Sequence, residues 1–202
     1  MGTRHLICVF LDNEYKVAQY GQWDGYPEGQ GMECLHFLRD EMFESHFLHW
    51  LRKMTFASNE YIQGVQDGIY SVTNNYNKTM DLLSNNFPQF VRDLSVGILS
   101  KIQNGEITPF LHNSLKFAAD SLFCEWAYVI DLDKRTFEVY KGFNQTPLTE
   151  NDRFFWLEEE SYKEYRDDDR QYHPVKIVHS WELDKLPTDE EFLAEFNKEE
   201  NE

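Results

Sequence analysis

Between Tyr20 and Gly31 the chain reads Y-G-Q-W-D-G-Y-P-E-G-Q-G, twelve residues that hold four glycines, one proline, three large aromatics and two carboxylates. The chemistry such a stretch supports is recognition. Tyr20, Trp23 and Tyr26 offer flat apolar surface with a polar tip, Gln22 an amide, and Asp24 and Glu28 acceptors for a polar donor. Gly29 and Gly31 are expected to leave backbone N–H groups uncovered near the start of a following helix, which suits close approach by a ligand or by another part of the chain. Arg4, just upstream, is a candidate bidentate clamp for a carboxylate or phosphate. It is equally a candidate ion-pair partner for Asp24 or Glu28. Asp24-Gly25 and Tyr26-Pro27 are turn chemistry, so a tightly packed corner is the competing reading of the whole stretch. No standard catalytic pattern is completed here.

Other residues of chemical interest are scattered. Cys8 lies in an apolar strand, where a thiol stays protonated; Cys34 lies near a helix start, which can lower a thiol pKa. Neither has a positioned histidine, and both are expected in the core. His46 and His49 are three apart and could share a helix face in the manner of a metal pair. No third ligand accompanies them, so no metal and no cofactor is expected.

Composition narrows the partners. Acidic residues outnumber basic ones 36 to 19 in 202 residues, a formal charge of −17. Direct binding to nucleic acid or to an anionic membrane needs a basic surface and is not expected; a host protein with a basic surface, or a small polar ligand, fits better. More than half of the net charge falls after Asn151. Three cysteines without CxxC spacing suit a reducing, cytoplasmic setting better than a disulfide framework. No apolar run approaches the length of a membrane span. The sequons at Asn77 and Asn144 are read as chance.

The elements that must position the Tyr20–Gly31 stretch follow from periodicity. His5 to Leu11 is apolar on both alternating faces, a strand buried on both sides. Asp12-Asn13 tolerates the left-handed region of a tight turn, and Glu14 to Gln22 returns as the second strand. Tyr15 and Val17 fall on one side, Ala18 and Tyr20 on the other. Helical spacing occupies Met32 to Lys53, with a break near Glu44-Ser45. The Asn-rich stretch 58–86 reads as one helix or a pair, an elaboration on the core. A helix from Pro88 to Asn104, with Val91, Leu94, Ile98 and Ile102 as its stripe and Gly105 as its stop, and another from Thr108 to Leu122, complete the middle.

Trp126 to Asp131 and Thr136 to Tyr140 form a second hairpin around Asp131–Arg135. Val175 to Trp181 is a last strand, with Val175, Ile177, His179 and Trp181 on one side. Thr188 and Glu191 form a capping box for a terminal helix. Glu158–Glu160 and Asp167–Asp169 read as solvated charge runs, and residues 198–202 as a frayed acidic tail. The fold expected is one α+β domain over 1–197, a largely antiparallel sheet built from N- and C-terminal hairpins that share it, with a helical insert between them.

Met1-Gly2-Thr3-Arg4, the first hairpin, Gln22 to Pro27, and Phe123 to Asp131 together resemble an uncharacterised family found in phages, bacteria and fungi, whose members begin M-G-T-R or M-S-T-R and carry a W-D-G-Y-P or F-D-G-Y-P loop. The likeness covers the two ends of the chain and brings no activity with it. It implies a non-catalytic binding protein of phage or mobile-element type, one that blunts a host defence by binding a protein or sequestering a small ligand through Tyr20–Gly31. A weaker resemblance, to N-terminal nucleophile hydrolases, implies an amidohydrolase as the alternative. In that family a freed terminal Ser, Thr or Cys is the nucleophile. Here removal of Met1 exposes Gly2, and Thr3 serves only after a further cleavage.

Overall fold

The computed structural model describes residues 2–159 and 172–197. Its centre is a five-stranded sheet in the order β2-β1-β5-β6-β7, formed by β1 (His5–Leu11), β2 (Glu14–Gly21), β5 (Trp126–Asp131), β6 (Thr136–Lys141) and β7 (Lys176–Glu182). Both hairpins are antiparallel, as their short turns require, and they lie in one sheet as expected. Asp12 and Asn13 both take positive φ, 55° and 62°, the conformation a two-residue hairpin demands. The hairpins join through β1 and β5, which run parallel, Ile7 opposite Tyr128 and Cys8 opposite Val129. Every other pairing in the sheet is antiparallel.

Two apolar layers enclose the sheet. On one face Ile7, Val9, Tyr128, Ile130, Phe137 and Val139 pack with Leu35, Phe47, Leu51, Ile98, Ile102 and Phe192. On the other, Leu6, Cys8, Ala127, Val129 and Tyr140 pack with Leu115, Ala118, Phe154 and Leu157. The near-continuous apolar run of β1 is thus explained by burial on both sides. All three cysteines are buried and free.

Bulges alter two expected faces. Between Val9 and Phe10 the pairing with β2 slips, so Tyr15 stands opposite Phe10 and joins the face of Ala18 rather than that of Val17. A slip at Val139/Tyr140 puts Ile177 opposite Tyr140 while His179 pairs with Val139. Ile177 therefore does not share a face with His179 and Trp181.

The helices are shorter than the apolar stripes imply. Pro27–Gly31 is a π-type turn that runs without a break into α1 (Met32–His36) and a second such turn, Phe37–Glu41; α2 (Glu44–Leu51) follows an extended link at Met42-Phe43. The pair α3 (Asn59–Thr73) and α4 (Tyr76–Asn86) forms a helical arm, of which only Ile62, Thr79 and Leu83 are buried. Pro88–Phe90 is a single 3₁₀ turn, and α5 (Gly97–Gln103) begins only after an irregular stretch in which Ser95 takes φ 47°. The expected Pro88–Asn104 helix is thus confined to its second half, though it does end at Gly105 with φ 67°. Thr108–Leu122 is not a helix either. Phe110–Leu111 (β4) pairs in parallel with Thr55–Phe56 (β3), and Leu115–Ala119 is 3₁₀.

At the far end α6 (Asp189–Asn197) starts from the anticipated capping box: the Thr188 N–H donates to Glu191 Oε2 (2.9 Å), and the Glu191 N–H to Thr188 Oγ1 (3.3 Å). Glu158 is no solvated charge. It accepts the Leu148 N–H (2.6 Å) and faces His173 Nδ1 (2.9 Å). Glu160, Asp167–Asp169 and the tail 198–202 lie outside the described residues. Among those described, no helix is long and apolar enough to cross a membrane.

Candidate functional site

The Tyr20–Gly31 stretch has two sides with different work. Its inner side is sealed. The Gly25 N–H donates to the Thr3 carbonyl (3.0 Å), while the Gly25 carbonyl accepts the buried Tyr128 hydroxyl (2.8 Å). The expected free N–H groups are taken: those of Gly29 and Gly31 donate to Tyr26 O (3.0 and 3.2 Å) and that of Gln30 to Asp24 O (2.9 Å). The glycines are there for contact with the chain itself. A Cβ on Gly29 would lie 2.3 Å from Asp24 O, and one on Gly31 3.0 Å from the Tyr128 ring. Asp24, at φ 55°, provides the sharp bend.

Its outer side is open. Trp23 and Tyr26 are each 50 % exposed, and Asp24 and Glu28 are exposed beside them. The inner edge of the Trp23 indole lies over the Gly2 backbone. Its Nε1 donates to Asp93 Oδ1 (3.1 Å).

That bond belongs to a seam that periodicity alone missed. Residues 91–96, expected as helix, form an irregular strap laid along the loop. Gln22 N–H donates to Arg92 O (3.3 Å), the Gln19 side chain to Val91 O (3.3 Å), and the Val96 N–H to Gln30 Oε1 (3.1 Å).

Three clefts share the strap. A polar one of about 290 Å³ lies between Trp23, Asp24, Glu33 and Asp93. A wider groove of about 750 Å³ separates the helical arm from the strap, walled by Tyr70 and Tyr76, with Asp67, Asp81 and Asp93 against the single cation Arg92. Tyr70 and Tyr76 are largely exposed. A third, of about 320 Å³, lies on the other side of Phe90 and Arg92 and includes Tyr20. Asp93 borders the first two, so Trp23 and the arm tyrosines belong to one acidic, aromatic face.

The remaining sequence candidates fall elsewhere. Tyr26 and Glu28 are exposed but line none of these clefts. Arg4 forms no ion pair with Asp24 or Glu28; its guanidinium stacks on the Phe123 ring at 4.3 Å. Tyr20 donates its hydroxyl to Gln22 Oε1 (2.6 Å). Thr3 is buried and borders none of the clefts. Burial raises the pKa of Cys8, Cys34 and Cys124, the helix start near Cys34 notwithstanding. His49 bonds Lys53 (2.9 Å) and His46 packs edge-on against Phe43; among the described residues no group of three or more metal-ligating side chains exists.

Two buried polar features were not legible at all. His5, fully buried beneath the loop against Gly21 and Gly25, has both ring nitrogens without a hydrogen-bond partner, and burial lowers its pKa to about 4 despite a small opposing effect of the Thr3 backbone. Arg153 enters the opposite face of the sheet. It bonds Asp131 and, through Nε (2.7 Å), Glu138, which also accepts the Tyr140 hydroxyl (2.6 Å). This network borders a cleft of about 420 Å³ under Phe10, Tyr15 and Trp156. The guanidinium already fills the cation position there, so the network acts as a clasp.

No family model, no curated protein and no solved structure matches the chain.

Proposed function

We propose that the protein is a non-catalytic binding protein whose acidic, aromatic face receives a lysine- or arginine-rich segment of a partner protein. The observation that carries this reading is Trp23: a half-exposed indole, held by Asp93, with Asp24 and Glu33 across the same cleft. An indole face and adjacent carboxylates attract a cation by two additive means, the ring quadrupole and plain charge. The groove beyond repeats the arrangement with Tyr70, Tyr76, Asp67 and Asp81. Net charge supports the same partner, since a molecule at −17 draws basic surfaces from a distance.

The test is selection of random twelve-residue peptides on the wild-type protein, with counter-selection on Trp23→Ala. The reading expects enrichment of Arg and Lys and at least tenfold weaker binding of the winners to Trp23→Ala and to Asp93→Asn. Enrichment of acidic or purely apolar peptides, or equal binding to the variants, overturns it.

A further inference from the structure

We infer that the cleft between β2, the Pro88–Phe90 turn and the Leu115–Ala119 turn binds a small ligand composed of a flat nitrogen-containing ring and an oxyanion, of the nucleoside monophosphate class. The first observation is a charge anomaly. Acids outnumber bases almost two to one, and Arg39, Arg52, Arg135 and Arg153 each bond one or two carboxylates. Arg4 and Arg92 are the described arginines whose guanidinium groups form no ion pair with a described carboxylate. Both stand close enough to Tyr20 to favour its ionised form, against the burial that raises its pKa. Arg92 borders the cleft directly, and the exposed Lys116 stands on its rim. Arg92 and Lys116 are the cations of this cleft, its lining holds no carboxylate, and guanidinium matches an oxyanion bidentately.

The second observation is the lining. Tyr20 meets Phe117 edge to face at 4.9 Å, and Phe90 faces the same space, so the walls are aromatic. Between them are neutral hydrogen-bonding groups. His112 shares a 2.8 Å bond with Ser114, and burial lowers its pKa, which keeps the imidazole neutral at pH 7. Gln89 is fully buried: Nε2 donates to Thr108 Oγ1 (2.7 Å) and Oε1 has no partner. Turning the amide over exchanges the two atoms and still leaves one unpaired. Aromatic walls take a ring by stacking, neutral amide and imidazole groups read its edge, and Arg92 takes the charge. The volume, about 320 Å³, falls within the range of small-molecule sites. No carboxylate lines this cleft, in contrast to the acidic groove with which it shares Phe90, Val91 and Arg92.

Isothermal titration of the whole protein with the adenosine, guanosine, cytidine and uridine monophosphates tests this directly, with the parent nucleosides and inorganic phosphate as separate arms. At least one monophosphate is expected to bind one to one, with its nucleoside and inorganic phosphate each at least tenfold weaker. Arg92→Gln and Lys116→Gln, both at exposed positions, should each weaken binding severalfold and Phe117→Leu about tenfold, in proteins whose thermal unfolding stays cooperative. No heat with any of the four monophosphates overturns the inference, as does binding that survives Arg92→Gln combined with Lys116→Gln. Inorganic phosphate binding as tightly as the best nucleotide overturns the ring site.

Discussion

The Trp23 indole N–H bonds the Asp93 carboxylate across 70 residues of chain, at the surface, where neither side chain is needed to complete the core. A surface hydrogen bond of this kind contributes little to stability, but it fixes the plane of the indole. Trp23→Ala should therefore cost about 1 to 2 kcal/mol, well below the roughly 3 to 5 kcal/mol of a buried indole, and lower Tm by roughly 2 to 8 °C. Its main effect should be on binding. A fall in Tm several times larger would reassign Trp23 to packing of the Gly2 backbone.

Electrostatic attraction should show in the association rate. For a basic peptide selected on the acidic face, raising salt from about 0.05 to about 0.5 M is expected to slow association by about tenfold while changing dissociation little. Stopped-flow fluorescence with a labelled peptide can follow this. A rate indifferent to salt would place the binding energy in apolar contact.

His5 sets a pH dependence of the fold. Its pKa of about 4, against about 6.5 unfolded, means the unfolded chain binds the extra proton first. The stability associated with neutral His5 is therefore complete above about pH 6.5 and lost as pH falls towards 4, a change of about 3 kcal/mol. His5→Leu should flatten this part of the profile and be neutral or stabilising at pH 7, because it removes two unpaired buried nitrogens. Urea unfolding at pH 4.5 and 7 for both proteins decides it; parallel profiles for the two would exonerate His5.

The Arg153 clasp should be costly to open. Arg153→Met leaves Asp131 and Glu138 buried without their cation and is expected to destabilise by about 3 to 5 kcal/mol at pH 7. Burial opposes ionisation of Glu138, and the bonds from Arg153 and Tyr140 overcome it, holding its pKa below the usual range. In the variant that support is gone, so the deficit should shrink at acid pH as the carboxylates take up protons. Chemical denaturation across pH would show this convergence; a deficit independent of pH would point to lost packing.

How far these features could be read from residues alone depended on their range. The short apolar runs of β1 and β5, the Asp12-Asn13 turn and the Thr188/Glu191 box are local signals, and each appears where its residues stand. Val91, Leu94, Ile98 and Ile102 sit at helical intervals, yet only the last two lie in a helix: a stripe reports that residues are inward, and a strap held by Gln19, Gln22 and Gln30 satisfies that equally well. The face assignments of Tyr15 and Ile177 failed at bulges, each of which inserts one residue that a strict period of two cannot register. Turn chemistry left the Tyr20–Gly31 stretch open between a recognition loop and a packed corner, and its residues divide between the two, Gly25 and Gly31 inward and Trp23 and Asp24 outward. Asp93, the arm tyrosines, Arg92 and the Arg153 clasp depend on contacts between distant segments, and no spacing rule reports those.

The parallel seam between β1 and β5 has a kinetic consequence. Either hairpin can zip within microseconds, because its partners are neighbours in the chain. The seam joins residues as remote as Arg4 and Glu125, 121 positions apart, so the whole intervening stretch must be gathered before it can close. Refolding should thus be paced by the encounter of two ready-made halves, with Ile7 and Tyr128 among the residues that set its rate. Until they meet, each half carries an unpaired apolar strand edge, which makes the waiting time the period in which this chain is most exposed to aggregation.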